Sequence, residues 1–394
     1  MAKKIEEDTK PVKVKKESTR DVFAEIDKLN LEATFLNENS LSKVEGWIDT
    51  GNYSLNACIS KKLRGGGLPK GRVSIYIGPE SSGKTLMITK AIANAQKADP
   101  NVYVAYFDTE NALDEDTAKR LGCDTSRIKH YPVEVTEQCR NQIVKLLTIV
   151  EEKKMYGKVV VVIDSIGNLI TAQEKKKIDE GNEAPDMGNR AKANKSMLRA
   201  ITHAAAKAKC AVICSNHIYD DPAQLQKSAL KKQAGGSGPL YMSSVIIQLA
   251  KKVQRVSVTD NKDANLDTTS QAKDINGLTL RAFITKNRFA IPFLETEMYL
   301  NFASGLNKYS GLLEMAESYG VLTKDGHRYV FDGENIGFYK NWKNDTALWE
   351  RIITKLEPVI EKAFSFKNET DAVEEYIAPT DEEDLEEESE SDEL

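Results

Sequence analysis

The sequence predicts an α/β fold: a mostly parallel central sheet flanked by helices, with a small N-terminal helix/strand segment and a small α+β unit near the C-terminus. Three observations carry this. Strand-like apolar runs at Val73–Ile77, Val102–Phe107, Val159–Ile163 and Ala211–Cys214 alternate with helical stretches at Lys84–Gln96, Ala112–Leu121, Gln138–Lys153 and Arg190–Ala208. Such alternation builds parallel strands through right-handed crossovers. The runs are almost wholly apolar, as in VVVVI at 159–163, which suits strands covered on both faces. A glycine-rich octapeptide, GPESSGKT at Gly78–Thr85, joins the first of these strands to the first helix. The 394 residues allow two or three domains.

The elements follow in order. Residues 1–20 are charged and poor in apolar side chains, so they are expected to be disordered. Residues 21–47 form an N-terminal segment. It starts with an amphipathic stretch, DVFAEIDKLN, with Val22, Phe23, Ile26 and Leu29 on one side. Leu31–Lys43 reads equally as strand or loop. The main body spans 48–305. After Val245–Leu249 the alternation stops, and 250–258 and 278–288 read as antiparallel partners around a polar loop. A smaller unit, 306–370, contains a helix at Gly311–Tyr319, a hairpin at Arg328–Tyr339 and a helix at Thr346–Phe364. The remainder, 371–394, is expected to be a disordered acidic tail.

Charge is divided unevenly. The whole chain carries −5, yet Asp371–Leu394 holds 13 acids and no Lys or Arg, so the first 370 residues carry +8. A basic body suits a polyanionic partner, and the tail would compete with that partner for the basic surface. No apolar run is long enough to span a membrane, and the Lys/Glu-rich start lacks the apolar stretch of a signal peptide. Five cysteines without a CxxC spacing point to reduced structural thiols and a cytoplasmic setting. The four histidines have no metal-binding spacing.

The octapeptide fits G-x-x-x-x-G-K-[ST], in the strand-then-helix context that motif needs. Gly78, Pro79, Glu80, Ser81, Ser82 and Gly83 would wrap the phosphates of a nucleotide with backbone N–H groups. Lys84 would reach the β- and γ-phosphates, and the Thr85 hydroxyl would ligate Mg²⁺. Asp164 ends the VVVVID strand at the sheet's carboxyl edge, where it would hold Mg²⁺ or its water. Strand Val102–Phe107 leads into DTENALD, Asp108–Asp114. Glu110 and Asp108 compete there, by pattern alone, as the group that activates water.

Together these segments resemble the RecA recombinase family. GGGLPKGRVSIYIGPESSGKT at Gly65–Thr85, YFDTENALD at Tyr106–Asp114 and VVVVIDSIGNL at Val159–Leu169 are each similar to a family motif. The likeness runs from about Ile48 to Phe364. SNHIY at Ser215–Tyr219 and GGSGPLYM at Gly235–Met242 look most like UvsX, the recombinase of large tailed phages. The resemblance implies a RecA-like P-loop ATPase core and favours Glu110 as general base. It makes His217 the γ-phosphate sensor and Asp114 part of the nucleotide site. Where an aromatic residue often follows that aspartate by three positions, this chain has Thr117, so adenine stacking would come from elsewhere. The N-terminal helix would pack one subunit on the next.

Two long interruptions, 171–188 and 218–238, follow strand ends on the nucleotide side. In the family such loops hold DNA. Candidates here are Met187, Gly188, Tyr219, Lys227, Lys231, Lys232, Gly235 and Gly236. In LTLRAFITKNR, period-two alternation puts Leu278, Leu280, Ala282, Ile284, Lys286 and Arg288 on one face. In RecA-like filaments the basic pair reaches the ATP of a neighbouring subunit. The implied activity is a DNA-dependent ATPase that needs ATP and Mg²⁺. It forms a helical homo-oligomeric filament on single-stranded DNA and pairs it with duplex DNA in recombination, repair and recombination-dependent replication. A single-stranded-DNA-binding protein and a loading mediator would be its partners, in the host cytoplasm if the chain is of phage origin. A hexameric helicase motor of the same fold is the alternative.

Overall fold

The structure, a computed structural model, describes residues 41–111, 113–182, 187–219, 232–233, 238–255 and 275–366, with positions 23, 26, 28 and 35 before them. The chain divides into two compact units, 1–44 and 45–394. In the first, Phe23 and Ile26 are helical, and the rings of Phe23 and Phe35 meet edge to face at 6.3 Å. Lys28 lies in a turn, and the remaining positions of the predicted helix, with the tail 371–394, lie outside the described residues.

In the second unit the elements run as follows. Strand β1 (Trp47–Ile48) pairs antiparallel with β2 (Leu68–Pro69), and helix α1 (Tyr53–Ser60) lies between them in sequence. Then come β3 (Val73–Gly78), α2 (Lys84–Ala98), β4 (Tyr103–Asp108), α3 (Glu115–Arg120), β5 (Ile128–Pro132), α4 (Thr136–Glu152), β6 (Val159–Asp164), α5 (Ala172–Asp179), α6 (Met187–Ala208) and β7 (Ala211–Tyr219). They are followed by β8 (Lys232–Gln233), α7 (Gly238–Met242), β9 (Val245–Arg255), β10 (Ile275–Asn287), β11 (Glu295–Asn301) and β12 (Gly305–Leu306). The C-terminal portion contains α8 (Leu312–Ser318), β13 (Thr323–Asp325), β14 (Arg328–Phe331), β15 (Glu334–Gly337), α9 (Tyr339–Trp342) and α10 (Thr346–Ala363).

The central sheet has the order β12-β11-β10-β9-β3-β7-β6-β4-β5, with β8 paired to β7. From β9 to β5 all neighbours are parallel, and β10, β11 and β12 extend the sheet antiparallel. The expected mostly parallel sheet between helical layers is therefore what forms. Side chains alternate between two cores. In β6, Val160 and Val162 pack with α2, while Val161 and Ile163 pack with α4 and α6. Helix α4 buries Cys139, Ile143, Leu147 and Val150, a spacing that keeps one stripe against the sheet.

Several expectations are corrected. Edge strand β5 was not foreseen, because RIKHYPV has three polar positions and reads as loop. Part of the interruption at 171–188 is helical: Thr171, whose hydroxyl accepts from Glu174 N, caps α5, and Met187 and Gly188 already belong to α6. Helix α3 starts only after Asp114, whose carboxylate caps it. The single long β9 joins β3 in parallel and β10 antiparallel, so the two pairing modes meet on one strand.

The C-terminal elements share a core with the sheet. Trp349 is fully buried and stacks on Tyr309 with centroids 5.5 Å apart, and Asn52, before α1, donates to Ser310 O at 2.9 Å. All five cysteines are free and buried. Burial pushes the Cys58 and Cys139 thiols up to about 12 and Cys123 to about 11. Thiol titration of the native protein at pH 8 should therefore give little fast reaction, and all five should react after unfolding in denaturant. Rapid labelling of the native chain would contradict this packing.

Candidate nucleotide site

The carboxyl ends of β3, β4, β6 and β7 meet along one edge, and the site is built there. Gly78 closes β3. A Cβ at that position would lie 2.5 Å from Ser82 Oγ and 2.7 Å from Leu249 O, so only glycine fits. Ser81 and Gly83 both have left-handed φ, 54° and 90°, which curls the loop before α2 starts. Backbone of this kind turns successive N–H groups toward an anion, and the 15-residue α2 adds the positive end of its dipole.

Lys84 folds back inside the loop. Its Nζ donates to Gly78 O at 3.0 Å and Pro79 O at 2.9 Å. Burial lowers its pKa, while Glu110, Asp164 and Glu80 pull it upward. Its bonded partners are neutral carbonyls, which leaves the charge to be met by an anion.

Asp164, 2% exposed, is held from three sides. Its Oδ2 accepts from Thr85 Oγ1 at 2.8 Å and Tyr106 OH at 2.7 Å, and its Oδ1 accepts from Ser215 Oγ. The sequence pairs Thr85 with Asp164 across 79 positions, and the fold brings them into contact. Among the described residues no group of three or more His, Cys, Asp or Glu is gathered to hold a metal ion. A cation at Thr85 and Asp164 would draw its remaining ligands from phosphate oxygens and water. That is the usual Mg²⁺ arrangement, so these residues fit the ion.

Glu110 stands beyond the end of β4. Its Oε1 accepts from Asn168 Nδ2 at 3.2 Å and lies 2.9 Å from His217 Nε2. His217 is in register with Gly78 on the adjoining strand, so it flanks the root of the glycine loop. Asp108 is different. It is buried, and its Oδ1 accepts from Glu110 N at 2.9 Å and Asn111 N at 2.7 Å. Its Oδ2 lies 3.1 Å from His130 Nε2. Asp108 thus shapes the turn that presents Glu110.

Other predicted residues lie elsewhere. Asp114 is exposed, and its bonding to Thr117 holds its carboxyl below the usual carboxylate range. Lys286 and Arg288 do not continue the apolar face of β10. A bulge between Ile284 and Lys286 shifts the register: Ile284 faces Ile247, but Lys286 faces Ile246. Ile247 and Ile246 belong to opposite cores, so Lys286 sits on the other face from Leu280, Ala282 and Ile284. An inserted residue reverses a period-two reading. Lys286 Nζ donates to Leu240 O and, at 3.3 Å, to Tyr241 O. Burial and the nearby Arg288 pull its ammonium down to about 8. Through Ile246 it is level with Ile75, about 10 Å along the strands and about 10 Å across them from the end of β3.

Of the loop candidates, Tyr219 and Lys232 oppose each other where β7 pairs with β8, and Met187 and Gly188 open α6. Lys227, Lys231, Gly235 and Gly236 lie outside the described residues. Sequence reasoning missed Tyr106, Ser215 and Asn168. The available signal was a polar side chain inside an otherwise apolar strand, or just after one.

A parallel α/β sheet with a glycine loop, a buried lysine and a Thr–Asp pair at its carboxyl edge defines a P-loop nucleotide-binding protein. The model of the RecA N-terminal domain matches residues 23–307. Protein RecA of Streptomyces rimosus is 30% identical over 273 residues, 69% of this chain and 65% of that protein. Protein RecA of Wolbachia sp. subsp. Drosophila simulans is 31% identical over 310 residues, 77% of this chain and 76% of that one. That of Chloroherpeton thalassium is 28% identical over 316 residues, 79% and 80%. The chain belongs to the RecA family.

Gly78→Ala should abolish nucleotide binding and lower the melting temperature, read by equilibrium titration with a fluorescent ATP analogue beside a melting curve. Wild-type affinity in that variant would refute the loop geometry.

Proposed function

We propose that the protein is an ATP-dependent recombinase. It assembles on single-stranded DNA as a helical filament, pairs that strand with a homologous duplex, and hydrolyses ATP to release it. The observation that carries this reading is the meeting of two bonded pairs, Thr85–Asp164 and Glu110–His217, at the mouth of the glycine loop.

Each residue then has a task. Lys84 exchanges its carbonyl partners for β- and γ-phosphate oxygens. Thr85 and Asp164 would hold Mg²⁺, and the ion would supply neutralisation of phosphate charge. Glu110 takes a proton from the attacking water once His217 turns its Nε2–H to the γ-phosphate. Nε2 of His217 carries at most one proton, so binding γ-phosphate through Nε2 competes with the bond to Glu110. ATP binding thereby frees the base, and the same event would be transmitted along β7 to the segment 218–238.

Lys286 and Arg288 are too far from the loop of their own chain, so we assign them to the nucleotide of a neighbouring protomer. Burial and the like charge of Arg288 depress the pKa of Lys286, and a phosphate beside it would offset both. ATP would then be shared between protomers, which couples its presence to the filament and its loss to disassembly. The basic body and the lysines at 227, 231 and 232 support DNA contact through phosphates. The SNHIY and GGSGPLYM segments support a phage-type recombinase, active in the cytoplasm. No helix among the described residues is long and apolar enough to cross a membrane.

The test is ATP turnover with and without single-stranded DNA, run beside a strand-exchange assay. Turnover should rise on adding DNA, exchange should need ATP, and Lys84→Ala should lose both. Turnover indifferent to DNA, with no exchange product, would overturn the reading.

A further inference from the structure

The loop bearing Glu110 is fixed from a side remote from the nucleotide. Glu110 can act only if the turn Asp108–Asn111 keeps its shape, and that turn places Asn111 at φ 51°, a left-handed position. The Asp108 carboxylate holds the turn by accepting from the N–H groups of Glu110 and Asn111 through a single oxygen. Its side chain is only 1% exposed, so its second oxygen needs a partner from the protein. His130 Nε2 supplies it at 3.1 Å. An ionised carboxylate only accepts, so Nε2 is the donor.

His130 lies on edge strand β5 in register with Tyr106 of β4. Parallel pairing puts both side chains on one face, and the rings stack with centroids 6.5 Å apart at 23°. Tyr106 OH is in turn bonded to Asp164. The imidazole therefore braces the base-bearing turn through Asp108 and packs against the ring of Tyr106. None of its bonds reaches Lys84, Thr85 or the glycine loop. Its side chain is 45% exposed, so its removal opens no large core cavity.

We infer that His130 is a positioning residue for the hydrolytic step, acting through Asp108 on the placement of Glu110. The inference rests on Glu110 being the general base. Its removal should leave nucleotide binding in place and slow the chemistry.

The experiment measures DNA-stimulated ATP hydrolysis in the full chain with His130→Ala, His130→Gln and Glu110→Gln, with a melting curve for each. His130→Ala should lower kcat by about 10- to 100-fold, the scale for a misplaced catalytic group, with KM for ATP changed less than about twofold. His130→Gln puts an amide N–H near the position of Nε2 and should recover most of the rate. Glu110→Gln should abolish turnover, and if it does not, the reading of Glu110 itself fails. If Glu110→Gln is inactive while His130→Ala keeps full kcat, the positioning role is refuted. It is equally refuted if kcat and KM change together, or if the Gln variant is no better than Ala.

Discussion

Everything at the carboxyl edge depends on one buried carboxylate. Asp164 ends β6, yet it accepts from Thr85 at the start of α2, from Tyr106 on β4 and from Ser215 on β7. Three separate elements are thereby pinned to a fourth. A carboxylate this buried without partners would be strongly destabilising, so the donors and the acid require one another. The sheet supplies them by its order: β4 and β7 are the two neighbours of β6, and β3, which launches α2, lies beside β7. Fold and chemistry are linked at that point.

Around this hub the other charged groups are held on provisional partners. Lys84 rests on carbonyls and Glu110 on His217, and each partner can be exchanged for a phosphate oxygen or a water proton. His217 is part of β7, and that strand runs on into the pairing with β8. Farther off, Lys286 and Arg288 lie toward the amino edge of the sheet, away from the glycine loop of their own chain.

The parallel sheet was legible in the sequence because buried parallel strands have nearly continuous apolar runs, and the glycine loop because its spacing is specific. Thr85 was named from the spacing of the glycine loop, Asp164 from its strand end, and Glu110 and His217 with the help of the family resemblance; the fold bonds Thr85 to Asp164 and Glu110 to His217. What escaped was set by contact rather than pattern. Edge strand β5 carries polar residues on its open side, so RIKHYPV resembles a loop. The bulge after Ile284 inserts one residue, which the sequence does not mark, and it reversed the face assigned to Lys286. Helix α5 is short and strongly polar, stabilised by the Thr171 cap and the Arg190–Glu174 ion pair rather than by an apolar stripe. Asp108 and Glu110 were indistinguishable by position, and only burial and bonding separate a turn-former from an exposed acid.

The central claim is that Asp164 and Thr85 form the metal side of a nucleotide site. ATP affinity of Asp164→Asn, titrated with and without Mg²⁺, tests it most directly. The wild type should bind more tightly with Mg²⁺, and the variant should bind the nucleotide with little or no gain from the ion. A full Mg²⁺-dependent gain in the variant would contradict the account.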